Sequence, residues 1–580
     1  MTRRPACAAF VALLLALAGC STVPGSSATV QITQEPDRSS EVEGLEPIGP
    51  EEGASPEEIV RRFIDAAAST ARQHPVAREF LTPAAKDAWS DETGITVIGA
   101  DYATVTEGTG SEGSATVRVT ADLLGTVDPR GVFSIGTEER FSHEFPLEQV
   151  GGEWRISDPP EGLVMLEPDF ERLYDERAVF FIDPTQQRVV PDPRYVIRGD
   201  AQPTTLVDRL IAGPSPALEA GVQNLLGDAG LIRKVTVSGL SVTVDLTGIS
   251  ELAAPELSLL SAQLVWTLSQ LPGTPSVELL SDGEELNLEG VPPVQSVEDW
   301  SEFDPEAAPQ GAVGHYVDGG ALRLDDGEPA PGPAGQGAYG LQSAAVSADP
   351  RTGELSAMVG VTSRDFRTAL VVGPYGGDLA EVLPGGAFTA PTVAATRDEF
   401  WTVRDGTAVV RVPADGQPQP VNAPTLGALG FASVLQLSPD GVRAAVVVNS
   451  NELYVGTVVR AENAPVTLRD LRPVAPSLTG VLDVAWSASD QLLVLASGGP
   501  QDGIAPYALG VDGWGLTPVA TAGLPGQPTS IAAAPSQQPL VSAGGTGGAG
   551  GTMWELSGGT WVTLVRGEQP RPGTEPFFPA

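Results

Sequence analysis

Between residues 55 and 165 the spacing of apolar positions changes period once. Ile59, Val60, Phe63, Ile64 and Ala67 recur at intervals of three and four, with Glu58, Arg61, Arg62 and Asp65 mostly opposite, the pattern of a helix that buries one face. Ser55-Pro56-Glu57-Glu58 supplies its start: a hydroxyl cap, a proline whose missing N–H costs nothing at the first helical position, and a glutamate placed to close a capping box. Thr82-Pro83 opens a second short helix ending near Trp89. The period then falls to two. Ala115, Val117 and Val119, then Phe133 and Ile135, then Phe141, His143 and Phe145, then Trp154 and Ile156, line one face of a predicted antiparallel sheet. Residues 55–165 are therefore read as a small α+β domain.

A second α+β unit spans 177–293. Val179 to Ile182 and Arg188 to Val190 read as strands, Thr204 to Ile211 as a helix stopped by Gly213-Pro214, and Pro216 to Leu225 as another helix. Val235, Val237, Val242, Val244 and Leu246 alternate on either side of Ser238-Gly239, as a hairpin requires. Pro255 to Leu271 is the longest predicted helix, with Leu257, Leu260, Leu264 and Leu268 on one face, and Ser276 to Leu280 is a closing strand.

From residue 311 to 580 the pattern becomes short Val/Leu/Ala strands separated by small polar turns. Aligning the turns at Ser347, Thr396, Ser438, Ser487 and Pro535 gives spacings of 49, 42, 49 and 48 residues. These are the periods of four-stranded propeller blades, roughly 40 to 50 residues each. Five blades are visible, and Gly314 to Leu324 holds a further strand pair. An irregular β-sandwich with accidental periodicity is the competing reading. The predicted fold class is thus multidomain: two small α+β domains followed by an all-β propeller.

The first residues alter where this molecule works. Arg3 and Arg4, an apolar run from Ala6 to Ala18, and Leu17-Ala18-Gly19-Cys20 have the layout of a secretory signal, too short to span a bilayer. Leu-Ala-Gly-Cys resembles the lipobox of bacterial lipoproteins. That resemblance implies a signal peptide over 1–19, S-diacylglycerol and N-acyl groups on Cys20, and a mature chain held to the outer face of the cell membrane by several acyl chains. Residues 20–54, rich in Ser, Thr, Pro, Gly and Glu with no sustained apolar period, read as an acidic flexible tether.

Charge and composition exclude some chemistries. Thirty-three basic residues against 74 acidic ones give a net charge of −41, so nucleic acid, which needs a basic footprint, is not an expected partner. Only two cysteines occur, Cys7 in the signal and Cys20 at the lipobox, which leaves no disulfide and no catalytic thiol. His74, His143 and His315 fall in separate predicted segments without metal-ligand spacing. Asp325-Asp326-Gly327 reads as a solvated turn, Gly544 to Gly551 as a loop without the lysine of a phosphate cradle, and Trp401, Trp486, Trp514, Trp554 and Trp561 mostly as blade packing. No catalytic, cofactor or metal residue is expected, although 74 acids leave paired carboxylates for glycan cleavage open.

Three resemblances bear on function. The element order of 55–165 is similar in outline to the nuclear-transport-factor-two superfamily. Leu210-Ile211-Ala212-Gly213-Pro214, Val242-Thr243-Val244-Asp245-Leu246 and Gln263-Leu264-Val265-Trp266-Thr267-Leu268 resemble the GerMN domain. Signal, lipobox, tether, cone-like unit, GerMN-like unit and propeller, in this order, resemble the actinobacterial LpqB lipoprotein family. That family implies a non-enzymatic accessory protein of the MtrA-MtrB two-component system, which contacts the extracytoplasmic domain of a membrane sensor histidine kinase and is linked to cell-envelope homeostasis and division. The rival reading is a secreted propeller hydrolase or envelope-glycan-binding protein, for which carboxylates and aromatics would converge at one propeller mouth.

Overall fold

The computed structural model describes residues 47–580 apart from 110–112, 137–139, 274–275, 310–311, 350–351, 365, 415, 462–463, 546–549 and 567–568. The signal, Cys20 and most of the predicted tether lie outside the described residues, as does the middle of the Gly544–Gly551 run. No helix among the described residues is long and apolar enough to cross a membrane.

The capping box at Ser55 forms in both directions. The Glu58 N–H donates to Ser55 Oγ at 3.3 Å and the Ser55 N–H donates to Glu58 Oε2 at 2.9 Å, which starts the helix Pro56–Ala67. Its buried face, Ile59, Val60, Phe63 and Ile64, lies on a curved sheet whose central strand is Ser114–Val127. Arg140–Val150 and Glu153–Ile156 extend that sheet on one side, and Ile95–Ile98 and Leu163–Leu166 on the other. The last two strands pair in parallel. They escaped the period-two reading because Ile95-Thr96-Val97-Ile98 and Leu163-Val164-Met165-Leu166 are nearly continuous buried runs with no polar alternation. The folded unit also begins earlier than the cap: Glu51 pairs with Arg62 at 2.7 Å, and the Gly53 N–H donates to Glu153 Oε2 at 2.9 Å.

In the second unit, Tyr174–Ile182 and Val189–Ile197 form a long antiparallel hairpin. Ser241–Thr247 and Ser276–Ser281 pair in parallel, joined by the helix Ala254–Ser269 as a βαβ crossover. That helix is buried almost all round, because the hairpin needs its polar groups too. The Phe180 N–H donates to Thr267 Oγ1 at 3.1 Å, and Gln263 Nε2 donates to the Phe180 carbonyl at 3.0 Å, so a strand edge deep in the core is satisfied by helix side chains. The predicted helix Pro216–Leu225 is only a short 3₁₀ turn, Glu219–Gly221. The propeller takes its backbone groups: the Thr457 hydroxyl donates to the Ala217 carbonyl, and Gly221 sits so close to Thr457 and Val442 that a Cβ there would clash. Beyond residue 293, Trp300 and Phe303 pack into the same core.

Five four-stranded sheets follow, with innermost strands Leu341–Ala348, Thr392–Ala394, Ala432–Leu437, Thr479–Ala488 and Pro528–Ala532. Each aligned turn residue lies within three residues of the end of its innermost strand. A sixth sheet combines His315–Asp318 and Ala321–Leu324 with Thr574–Phe577 from the far end of the domain. Thr574–Phe577 contacts the innermost strands of the first and fifth blades, so the six sheets close into a ring.

The three units interlock. Arg443, buried in the third blade, donates through Nη2 to the Pro191 carbonyl of the hairpin at 2.6 Å and faces Asp440 at 3.8 Å. Tyr195 of the same hairpin donates its hydroxyl to Asp512 of the fourth blade at 3.1 Å. Trp514 packs edge-on against Phe133 and Phe170 of the first unit, with ring centroids 5.0 and 5.1 Å apart.

Candidate functional site

The innermost propeller strands surround a cavity of about 410 Å³ on the ring axis. Inner strands contribute side chains with small or polar ends, among them Ser343, Ser433, Gln436 and Ser530. Aromatic rings of Phe388, Trp486 and Phe578 add apolar wall, and the segment Ala307–Pro309, arriving from the second unit, borders the same space.

Two carboxylates face this cavity, Asp483 and Glu575, and among the described residues no lysine, arginine or histidine lines it. Asp483 is fixed by its own wall: Oδ1 accepts the Val484 N–H at 2.9 Å, and Oδ2 accepts the Ile531 N–H of the next blade at 2.8 Å. Removal from bulk water pushes its carboxyl up to about 8, and the nearby negative charge of Glu575 adds to the rise. Glu575 is held at φ 51°, a left-handed conformation uncommon for a residue with a side chain. Its carboxyl also lies above the usual range through burial, and it accepts no hydrogen bond from the described residues. Two carboxyls on one cavity wall can face a bound cation or accept from a bound hydroxyl.

The three histidines stay apart. His74 bonds Asp91 at 2.7 Å, half-buried His143 stands 4.8 Å from the Phe145 ring, and buried His315 lies between the Val313 carbonyl and the Tyr375 hydroxyl, where burial pushes its pKa down to about 4. Asp325 accepts the Gly314 N–H from the start of the neighbouring strand at 3.0 Å, and Asp326 accepts the Glu328 N–H within its own turn at 2.8 Å. Trp401 and Trp561 are buried in blade packing; Trp486 is nearly so but reaches the cavity, and Trp514 serves the domain junction. Asp483 was missed among the many acids, although it had a signal: it interrupts the apolar run Val481-Leu482-Asp483-Val484 in an inner strand. Glu575, in Gly573-Thr574-Glu575-Pro576, carried none.

Family comparisons cover nearly the whole described chain. Residues 49–171 match the model described as the lipoprotein LpqB N-terminal domain, 178–287 the model described as sporulation and spore germination, and 319–579 the lipoprotein LpqB beta-propeller domain. Lipoprotein LpqB of Rhodococcus opacus (strain B4) is 33% identical over 520 residues, covering 85% of each chain. Lipoprotein LpqB of Nocardia farcinica is 30% identical over 567 residues, covering 93% of this chain and 92% of that one. Among solved structures, the tandem GerMN domains of the sporulation protein GerM from Bacillus subtilis align at 19% identity and TM-score 0.18, over 21% of this chain and 45% of that one. TolB from Acinetobacter baumannii aligns at 11% identity and TM-score 0.34, over 57% and 87%. With identity above 30% across more than four fifths of its length, and family models matched in the order of its three folded units, the chain belongs to the LpqB lipoprotein family.

Proposed function

We propose that this protein is a lipid-anchored accessory protein on the extracytoplasmic face of the cell membrane, attached through Cys20, which modulates a membrane sensor kinase of the MtrA-MtrB type by binding its outer domain. The observation that carries this reading is the combination of a lipobox at the start of the chain with three folded units keyed together by buried contacts. A net charge of −41 keeps the folded part away from an anionic surface, while acyl chains hold its end there. The test is saturable binding of residues 47–580 to the purified outer domain of the kinase. Absence of binding at tens of micromolar, with both partners folded, would overturn the kinase reading. Cys20→Ala should move the protein from the membrane fraction to the soluble one; unchanged fractionation would refute the anchor.

A second reading has one observation in its favour. Asp483, Glu575 and Trp486 converge on the propeller axis, as a glycan hydrolase or glycan-binding protein would require. Turnover of envelope glycans by the purified protein, abolished in Glu575→Gln, would establish it.

A further inference from the structure

The propeller-axis cavity has an unusual electrostatic composition. Among the described residues its wall carries two carboxylates and no basic side chain that would offset either ionised form. Two buried acids elsewhere in the molecule that are paired with arginine show what a counter-charge does. Glu399 has Arg411 at 2.9 Å and Arg460 as a second partner, and Asp192 has Arg194 at 2.9 Å; in both the carboxyl is held below its usual range despite burial. Asp483 and Glu575 are both displaced the other way. The Glu575 carboxylate makes no hydrogen bond among the described residues, although its backbone occupies a conformation that costs energy. A strained residue holding an unpartnered carboxylate toward a cavity of about 410 Å³ is an arrangement missing its counter-charge.

The rest of the wall narrows the ligand. Phe388, Trp486 and Phe578 offer apolar and aromatic surface suited to an alkyl chain, and aromatic faces also attract ammonium groups. The volume exceeds what a metal ion needs, and no cluster of three or more metal-ligating groups occurs among the described residues.

We propose that the propeller axis is a binding site for a basic side chain, a lysine or arginine presented on an extended peptide segment of a partner, with the cation between Asp483 and Glu575 and its alkyl stem against Phe388, Trp486 and Phe578. The site is independent of which partner supplies the segment, and it can stand or fall without the kinase reading.

The probe is the blocked peptide Ala-Ala-Lys-Ala-Ala, titrated into residues 47–580 and followed by calorimetry and Trp486 fluorescence. Its N-acetyl-lysine counterpart and spermidine serve as comparisons. Saturable binding of the lysine peptide at millimolar concentration or tighter is expected, at least tenfold weaker for the acetylated peptide and for Glu575→Gln. That substitution removes no protein hydrogen bond and should leave the fold intact. Asp483→Asn should weaken binding similarly, with circular dichroism separating loss of the site from loss of the fold. Binding should release protons at pH 7, seen as a dependence of the heat on buffer ionisation. Three outcomes would overturn the proposal: no saturable signal with the lysine peptide up to 10 mM, equal affinity for the acetylated peptide, or unchanged affinity in Glu575→Gln. Binding of spermidine without binding of the lysine peptide would assign the site to free polyamines and likewise overturn the peptide form.

Discussion

Arg443→Ala tests whether the three folded units behave as one cooperative body. Arg443 is 3% exposed, donates to the Pro191 carbonyl at 2.6 Å, and its charge favours the ionised forms of Asp440 and Asp192, both nearly fully buried. Asp192 retains Arg194, but Asp440 has no other ion-pair partner among the described residues. Truncating one member of a buried pair leaves the other charge unsolvated and costs about 3 to 5 kcal/mol, more than the pair itself contributes. Losing the hydrogen bond to Pro191 adds about 1 kcal/mol. Because Asp440 can take up a proton, the expected loss falls at the lower end, about 3 kcal/mol at pH 7 and less at pH 5. Urea unfolding followed by tryptophan fluorescence reads the loss. Calorimetry reads whether one transition separates into two as the hairpin detaches from the third blade. A midpoint within error of the parent, or an equal loss at both pH values, would refute this account of the junction.

Two further outcomes follow from the same region. Glu306 accepts the Ser489 N–H at 2.9 Å while its other carboxylate oxygen is buried without a partner, and burial pushes its pKa up to about 7. The folded state therefore holds this proton more tightly than the unfolded chain. The resulting stability is fully present below pH ~4 and fades as pH rises through about 7. Glu306→Gln should flatten that slope and be more stable than the parent at pH 8 by about 1 to 3 kcal/mol, the upper figure being the shift at ~1.4 kcal/mol per pH unit; parallel stability curves for both proteins would contradict it. Trp514→Ala removes the ring that joins Phe133, Phe170 and Tyr195, so a loss of about 2 to 3 kcal/mol is expected, with faster hydrogen exchange in the first unit. Unchanged exchange there would show that Trp514 is not a coupling residue.

Much of the architecture was legible because it depends on local chemistry. The Ser55 capping box, the helix Ala254–Ser269 and the blade period each need only short-range patterns, and each corresponds to an element of the structure. The failures have a common cause. Pro216–Leu225 carries helical spacing, but its backbone groups meet Thr457, more than two hundred residues away. Gln263 and Thr267 are polar residues in a core helix, which period alone cannot explain; their partner is the backbone of Phe180, from another element. Ser438-Pro439-Asp440-Gly441, taken alone, reads as a common turn. Its Ser438 and Asp440 are buried, with the Ser438 hydroxyl and the Val442 N–H both donating to Asp440, and Gly441 at φ 72° lets the chain reverse against the second unit.

The candidate site was the least legible part, for a physical reason. A propeller axis is assembled from one strand per blade, so its chemistry is distributed over more than two hundred residues at the blade period, and no short motif marks it. Asp483 comes from the fourth blade and Glu575 from the closing strand, which is also the strand that completes the ring. Closing the propeller and placing the second carboxylate are therefore one event. The cavity acquires its second carboxyl only when Thr574–Phe577 is seated beside His315–Asp318, so the site reports on the folded ring and does not exist in any single blade. Residues that build the ring could thus have been found from the blade period, whereas the pair that gives the ring its chemistry required knowing which two blades close on each other.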